Sequence, residues 1–199
     1  MSENLSGKAG SVGAARWLQS YYLMRAAVSG IWVAAAFIVG TNVSAVAGAL
    51  LLLYPAWDAA ANLLDAQYHG GAKRNRTQAL NAVVSGVTTV AVAIALMIGM
   101  NAVLGAFGVW ATLSGLLQLA TAVRRWKTSG AQWPMILSGA QSALVGGLML
   151  KQAGGPAVPS IADIAPYAAF GAVYFLISAA WLAVSNARRR STPTAEALQ

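Results

Sequence analysis

The sequence contains no cysteine, one histidine and few charged residues. Only 9% of the 199 residues are charged, with 13 basic and five acidic side chains. Soluble chains carry about 25% charged residues, which they need to cover their surface. This composition argues against a soluble globular enzyme. The absence of cysteine excludes a disulfide scaffold, a CxxC redox pair and a thiolate zinc site.

The chain is instead rich in long apolar runs, and 58% of its residues are hydrophobic. That fraction excludes a disordered chain, and a helix crossing the ~30 Å hydrocarbon core needs about 20 mostly apolar residues. The runs are continuous rather than alternating, which favours helices over the short strands of a barrel. The first run is too long for a signal-peptide core and is expected to remain as a span. Six runs predict transmembrane helices: Trp17–Val39, Val43–Asp65, Leu80–Ile98, Ala102–Val123, Trp133–Leu150 and Ile164–Ser185.

Basic residues are concentrated in the segments on one side of these predicted spans. Eleven of the 13 lie in the N-terminal tail, the loops after the second and fourth spans, and the C-terminal tail. They are Lys8, Arg16, Lys73, Arg74, Arg76, Arg124, Arg125, Lys127, Arg188, Arg189 and Arg190. Because short basic loops stay cytoplasmic, both termini are predicted to be inside. The net charge of +8 then needs no nucleic acid. The predicted parts are a tail over 1–16, a membrane domain over 17–186 and a tail over 187–199.

A Ser-Gly pair recurs in the odd-numbered spans. The pairs begin at Ser29, Ser85 and Ser138, at intervals of 56 and 53 residues. Gly-x-Asn turns follow the first and third spans at Gly40 and Gly99. Each repeat unit contains two spans, so the chain returns to the same side of the membrane after each unit. All units therefore have the same orientation. The pattern predicts three parallel two-helix hairpins, at about 17–65, 80–123 and 133–185.

Small residues in these spans are expected to mark close contacts between helices, because apolar burial drives little association in lipid. On the fifth span, Gly139, Ala143 and Gly147 form a stripe. It is expected to contact either another helix of the same chain or a second copy of the protein. The predicted packing residues are Gly30, Gly86, Gly108, Gly139, Ala143 and Gly147.

Polar residues inside the spans are the candidates for function, since charged groups in a membrane are costly and need a role. Asp58, Asn62 and Asp65 lie on one face of the second span, at i, i+4 and i+7. Arg25 lies eight residues into the first span. Either Arg25 and Asp58 pair to dock the first hairpin, or the polar face lines a half-channel open to the cytoplasm with Asp58 as a proton or cation site. The full candidate set is Arg25, Asp58, Asn62, Asp65, Asn81 and Gln118.

Other chemistry is scarce in this sequence. His69 is the single histidine and stands in a loop without cysteine or paired carboxylates nearby, so no metal site is expected. The sequence has no GxSxG elbow and no phosphate-binding glycine motif. Neither a catalytic activity nor a cofactor is expected.

The segment from Trp133 through Leu-Ser-Gly139 to Gly146 and the following aliphatic run resembles the repeat of the HdeD-like family of bacterial inner-membrane proteins. Leu23–Gly30 is similar to the opening segment of that family, and the resemblance extends over about 17–186. It implies a six-span inner-membrane protein linked to acid-stress resistance, with no catalytic residues to transfer. The sequence departs from the family at Asp58 and Asn62, where an aliphatic stretch is expected.

Three functions follow as hypotheses. The first is a non-catalytic, stress-associated inner-membrane protein of the HdeD-like type. The second is a small transporter or a proton or cation conduit that uses Asp58 and Arg25. The third is a helical assembly partner that forms a homo-oligomer or joins a larger membrane complex through the stripe on the fifth span. The lipid bilayer is the partner common to all three.

Overall fold

The computed structural model describes residues 2–40, 44–125 and 133–191. Within these ranges the chain forms six helices, which confirms the all-helical prediction. They are α1 (Ser2–Val39), α2 (Ser44–Tyr68), α3 (Arg76–Ile98), α4 (Met100–Arg125), α5 (Trp133–Ala153) and α6 (Ile161–Ser191). The predicted turn residues Thr41 and Asn42, and the basic residue Lys127, lie outside the described residues.

Among the described residues, five helices are long and apolar enough to cross a membrane: Arg16–Val39, Ala45–Tyr68, Arg76–Ile98, Met100–Ala120 and Ile161–Arg188. Helix α5 is not one of the five, and it carries Ser138, Gln141, Ser142 and Lys151 among its apolar residues. Crossing of the membrane by α5 therefore stays a prediction.

The outer helices extend beyond the predicted spans. Helix α1 begins at Ser2, within the predicted tail 1–16, and its 38 residues give a length of about 57 Å. Helix α6 ends at Ser191, so Arg188 belongs to the helix rather than to the predicted tail 187–199. Hydropathy locates only the part of a helix that lies in hydrocarbon, whereas backbone hydrogen bonding continues past that boundary.

Helices α3 and α4 are joined by a single residue, Gly99. Its φ of 145° and ψ of 171° lie in a region that is essentially restricted to glycine. The connection directs α4 back along α3, which places the two helices side by side. The predicted turn at Gly99 is therefore shorter than the Gly-x-Asn motif, because Met100 and Asn101 already belong to α4.

The helices do not pack as three equivalent hairpins. The closely packed neighbours are α4 with α5, α1 with α6 and α2 with α3, followed by α3 with α4. Between the first and last hairpin partners, α1 with α2 and α5 with α6, the backbones seldom approach closely, and side chains bridge the gap. The bundle thus consists of a group of four helices, α2 to α5, and a pair, α1 and α6. The three-fold parallel repeat remains a prediction from the sequence.

Glycines create the close contact between α4 and α5. A Cβ atom at Gly108 would lie 2.9 Å from the carbonyl oxygen of Gly146, and one at Gly139 would lie 2.9 Å from that of Gly115. Ala143 contacts Gly115 through its own backbone. The predicted residues Gly108, Gly139 and Ala143 therefore lie in this seam. The seam uses two of the three stripe residues, Gly139 and Ala143, that the sequence left available for a second copy.

Three other predicted packing positions do not make such contacts. Nothing lies within 4 Å of a Cβ atom at Gly30, Gly86 or Gly147. On α5 the residue that contacts α4 is Gly146, not the predicted Gly147. The two are adjacent, and successive residues of a helix point about 100° apart, so only one of them can face α4. At the first two Ser-Gly pairs the serine is the buried member, as at Ser29 and Ser85.

One half of the bundle is filled by apolar side chains, which we call the apolar plug. It lies at the end opposite to the basic loops, and its most buried members come from α2, α3, α4 and α6. These are Leu51, Val92, Val103, Leu104, Phe107, Ile161 and Ile164. The side-chain Nδ2 of Asn101 donates to the carbonyl oxygens of Ala153 and Ala157, both at 3.2 Å. These hydrogen bonds hold the α5–α6 loop against this end of the bundle.

Candidate binding vestibule

A cavity of about 780 Å³ occupies the other half of the bundle, and all six helices contribute to its lining. It extends from Tyr54, Trp110 and Tyr167, which border the apolar plug, to Leu18 and Thr77 near the basic ends of α1 and α3. We call this cavity the vestibule. A volume of this size is typical of small-molecule sites.

Asp58 lies deep in the vestibule and has both carboxylate oxygens engaged. Arg25 forms an ion pair with Oδ1. Oδ2 accepts hydrogen bonds from the Asn62 amide at 2.9 Å and from the Ser85 hydroxyl at 2.7 Å. The Trp110 indole donates in turn to the Ser85 hydroxyl at 3.1 Å. The carboxylate therefore links α1, α2 and α3, and through Ser85 it is connected to α4.

Arg25 is held on three sides. Its guanidinium donates to the Tyr21 hydroxyl at 3.2 Å and pairs with Asp58. Its Cζ atom lies 4.3 Å from the centre of the Phe175 ring on α6, within the range of a cation–π contact. The Arg25 and Asp58 side chains keep 12% and 18% of their surface exposed, since both border the vestibule.

The Asp58–Ser85 hydrogen bond sets the register of the antiparallel helices α2 and α3. One turn closer to the basic end, Asn62 and Asn81 lie at the same depth, and one further turn brings Asp65 level with Gln78. All these side chains line the vestibule. Its polar lining continues on α4 and α5 with Ser114, Gln118, Ser138, Gln141 and Ser142.

The opposite wall is aromatic and comes from α1 and α6. It includes Tyr22, Phe170, Phe175 and Trp181. Hydrogen bonds connect α6 to α5 across their sparse contact. The Tyr174 hydroxyl donates to Gln141 Oε1 at 2.6 Å, and the Ser142 and Tyr167 hydroxyls lie 3.3 Å apart. The vestibule therefore has a polar face and an aromatic face.

At the basic end, Asp65 stands beside His69. Asp65 Oδ1 lies 2.9 Å from His69 Nδ1, and the histidine side chain is 39% exposed. The Trp17 and Tyr68 rings stack at 3.8 Å next to this pair. Within the described residues no group of three or more potential metal ligands occurs.

The structure brings all six candidate polar residues to one place. Arg25, Asp58, Asn62, Asp65, Asn81 and Gln118 all line the vestibule. Sequence reasoning missed Gln141 and Ser142, although their polarity in an apolar helix was a usable signal. It also missed Trp110, Tyr167 and Tyr174, because hydropathy does not distinguish an aromatic side chain that faces a cavity from one that faces lipid.

Part of the chain matches a known protein family. Residues 73–151 match the family model "Short repeat of unknown function (DUF308)". This region contains α3, α4 and most of α5, and thus Asn81, Gln118 and Gln141 but neither Arg25 nor Asp58. No curated protein and no solved structure matches the chain. The five apolar helices and the match of residues 73–151 to this family model indicate a multi-pass membrane protein.

Proposed function

We propose that this is a non-catalytic, multi-pass protein of the bacterial cytoplasmic membrane that binds a small molecule in its vestibule. The observation that carries the proposal is the lining of one cavity by all six helices, with the intramembrane polar residues gathered on its wall. Buried polar groups are costly in a membrane and usually mark a binding site or a pathway. A protein whose helices only contacted lipid would gain nothing from such polar groups.

The distribution of basic residues supports an orientation with both termini and the vestibule mouth in the cytoplasm. This arrangement includes α5 as a sixth span. The resemblance to the HdeD-like family supports acid or envelope stress as the setting in which the protein acts. Under this proposal the ligand enters from the cytoplasm, and the apolar plug blocks passage to the other side in the described conformation.

Filling the vestibule is expected to abolish ligand binding. Gly171 lines the cavity, and a Cβ atom there would meet only the Tyr54 hydroxyl, at 3.7 Å. Gly171→Leu therefore extends an apolar side chain into the cavity without striking backbone. We expect ligands that raise the thermal unfolding temperature of the detergent-purified protein to lose at least about tenfold in affinity, equivalent to about 1.4 kcal/mol.

Gly147→Leu is the matched control, since Gly147 is an exposed helical glycine with nothing within 4 Å of its Cβ position. This variant should bind ligands as the unmodified protein does. Equal binding by the Gly171→Leu and unmodified proteins, with both folded, would contradict a ligand site in the vestibule.

A second candidate function is a proton or cation conduit through Asp58. The observation in its favour is that Asp58 borders the vestibule and keeps 18% of its side chain exposed. The full set of partners on its carboxylate and the apolar plug beyond it weigh against this function. In reconstituted vesicles, a conduit predicts proton flux that Asp58→Asn abolishes while the protein stays folded. Unchanged flux, or a loss of stability alone, favours a structural role for the pair.

A further inference from the structure

The charges in the vestibule wall do not balance. Among the described lining residues three carry charge: Arg25, Asp58 and Asp65. Arg25 and Asp58 neutralise each other through their ion pair. The remaining charged side chain of the wall is Asp65, which is 9% exposed overall; its one neighbouring basic group among the described residues is the His69 ring, which lies outside the lining and balances the carboxylate only when protonated.

Among the described lining residues, two buried acceptor atoms make no hydrogen bond within the chain. Asn81 Oδ1 and Asp65 Oδ1 are buried without a hydrogen bond, although His69 Nδ1 lies 2.9 Å from the latter. The register of α2 and α3 places the two residues within about one helical turn of each other in depth. Unsatisfied buried acceptors cost about 1–3 kcal/mol, so a ligand that donates hydrogen bonds is favoured here.

One unpartnered atom of the wall is a donor, the Nε of Arg25. It belongs to a guanidinium whose charge Asp58 already balances and whose face lies against Phe175. Among the described lining residues, an anionic ligand would meet no uncompensated positive charge. It would also be repelled by Asp65.

The aromatic face is suited to a positive charge or to an apolar body. Phe175 already receives one cation, the Arg25 guanidinium. The Tyr22 ring lies beside Phe175, with centres 6.0 Å apart, and Trp181, which is closer to the basic end of α6, also lines the vestibule although it is 68% exposed. Rings of this kind attract cations within about 6 Å of their centres. The basic residues Arg74 and Arg76 near the mouth repel cations. Both are exposed, so salt screens their charges beyond about 8 Å at physiological ionic strength.

We propose that the vestibule binds a small organic cation, a protonated amine with an apolar or aromatic body. The ammonium group donates hydrogen bonds to Asp65 and Asn81, and the body packs on Tyr22 and Trp181. This assignment rests on the proposed function, since it names the chemical class of the vestibule ligand.

Three probes of matched shape test the assignment: 4-phenylbutylammonium, the neutral 4-phenylbutanol and the anionic 4-phenylbutyrate. Calorimetric titration of the detergent-purified full chain should give binding of the ammonium about 10–100-fold tighter than the alcohol, as a charge-assisted hydrogen bond provides. The anion should bind more weakly than the alcohol. Asp65→Asn should remove most of the preference for the ammonium and leave the alcohol unchanged.

Asp163→Asn is the matched control, because Asp163 is an exposed carboxylate at the opposite end of the bundle. It should retain the preference for the ammonium. Asn81→Leu, which removes the second acceptor, should reduce that preference even if Asp65→Asn does not fold. Equal binding of the ammonium and the alcohol, or tighter binding of the anion, overturns the cation assignment and leaves the vestibule as a ligand site. If Gly171→Leu binds every probe as the unmodified protein does, the vestibule itself is excluded.

Discussion

Asp58→Leu is expected to reduce the free energy of unfolding by about 3 kcal/mol, the cost of leaving an unpaired arginine inside a membrane. Arg25 would lose its ion-pair partner, and Ser85 and Asn62 would lose their common acceptor. The loss can be measured by unfolding the protein in mixed micelles of mild detergent and SDS.

The double variant Arg25→Met/Asp58→Leu provides the control for this prediction. Removing both charges leaves no uncompensated group, so it should be more stable than Asp58→Leu alone. The coupling between the two positions should lie in the range of about 0.5–3 kcal/mol that is typical of contacting residues. A double variant whose loss equals the sum of the single losses would show that the ion pair does not contribute to stability.

Gly115→Ala is the second large effect, because a Cβ atom at this position would lie 2.5 Å from the carbonyl oxygen of Gly139 and 2.5 Å from the amide nitrogen of Ala143. Both are backbone atoms and cannot rotate away, so α4 and α5 must separate. We expect the free energy of unfolding to fall by about 1–3 kcal/mol or more, as in overpacked cores. The same SDS titration measures the change.

Gly86→Ala is the matched control for Gly115→Ala, since a Cβ atom at this helical glycine meets nothing within 4 Å. The substitution should be neutral or stabilise the helix by up to about 1 kcal/mol. If the two variants had the same stability, the close approach of α4 and α5 would be in doubt.

The polar residues of the vestibule could be predicted from the sequence because each conflicts with its surroundings. An aspartate or asparagine in an apolar run must face other polar groups, which places Asp58 and Asn62 on the interior side of α2. Helical periodicity then predicted that Asp65 lies on the same face. The aromatic face gave no such signal, because tyrosine and tryptophan are also common where helices meet lipid headgroups.

The packing of the helices was less predictable. Gly146 and Gly147 are adjacent and identical, so small-residue spacing alone could not decide which of them contacts α4. Hydropathy likewise contains no information on which helices become neighbours. The close contact of α1 with α6 joins opposite ends of the chain and depends on pairs such as Tyr22 with Phe175.

The α1 and α2 backbones, and those of α5 and α6, seldom approach each other closely, and this has a mechanical consequence. The glycine seam holds α4 and α5 backbone to backbone, so movement between these two helices would disrupt the tightest packing in the bundle. The α1–α6 pair is attached to the other four helices at the apolar plug, where Ile161 and Ile164 are buried, and at the vestibule through side chains such as Arg25 and Tyr174. A rocking motion that opened the vestibule to the far side of the membrane would therefore carry α1 and α6 as one arm, and it would have to withdraw Ile161 and Ile164 from the apolar plug.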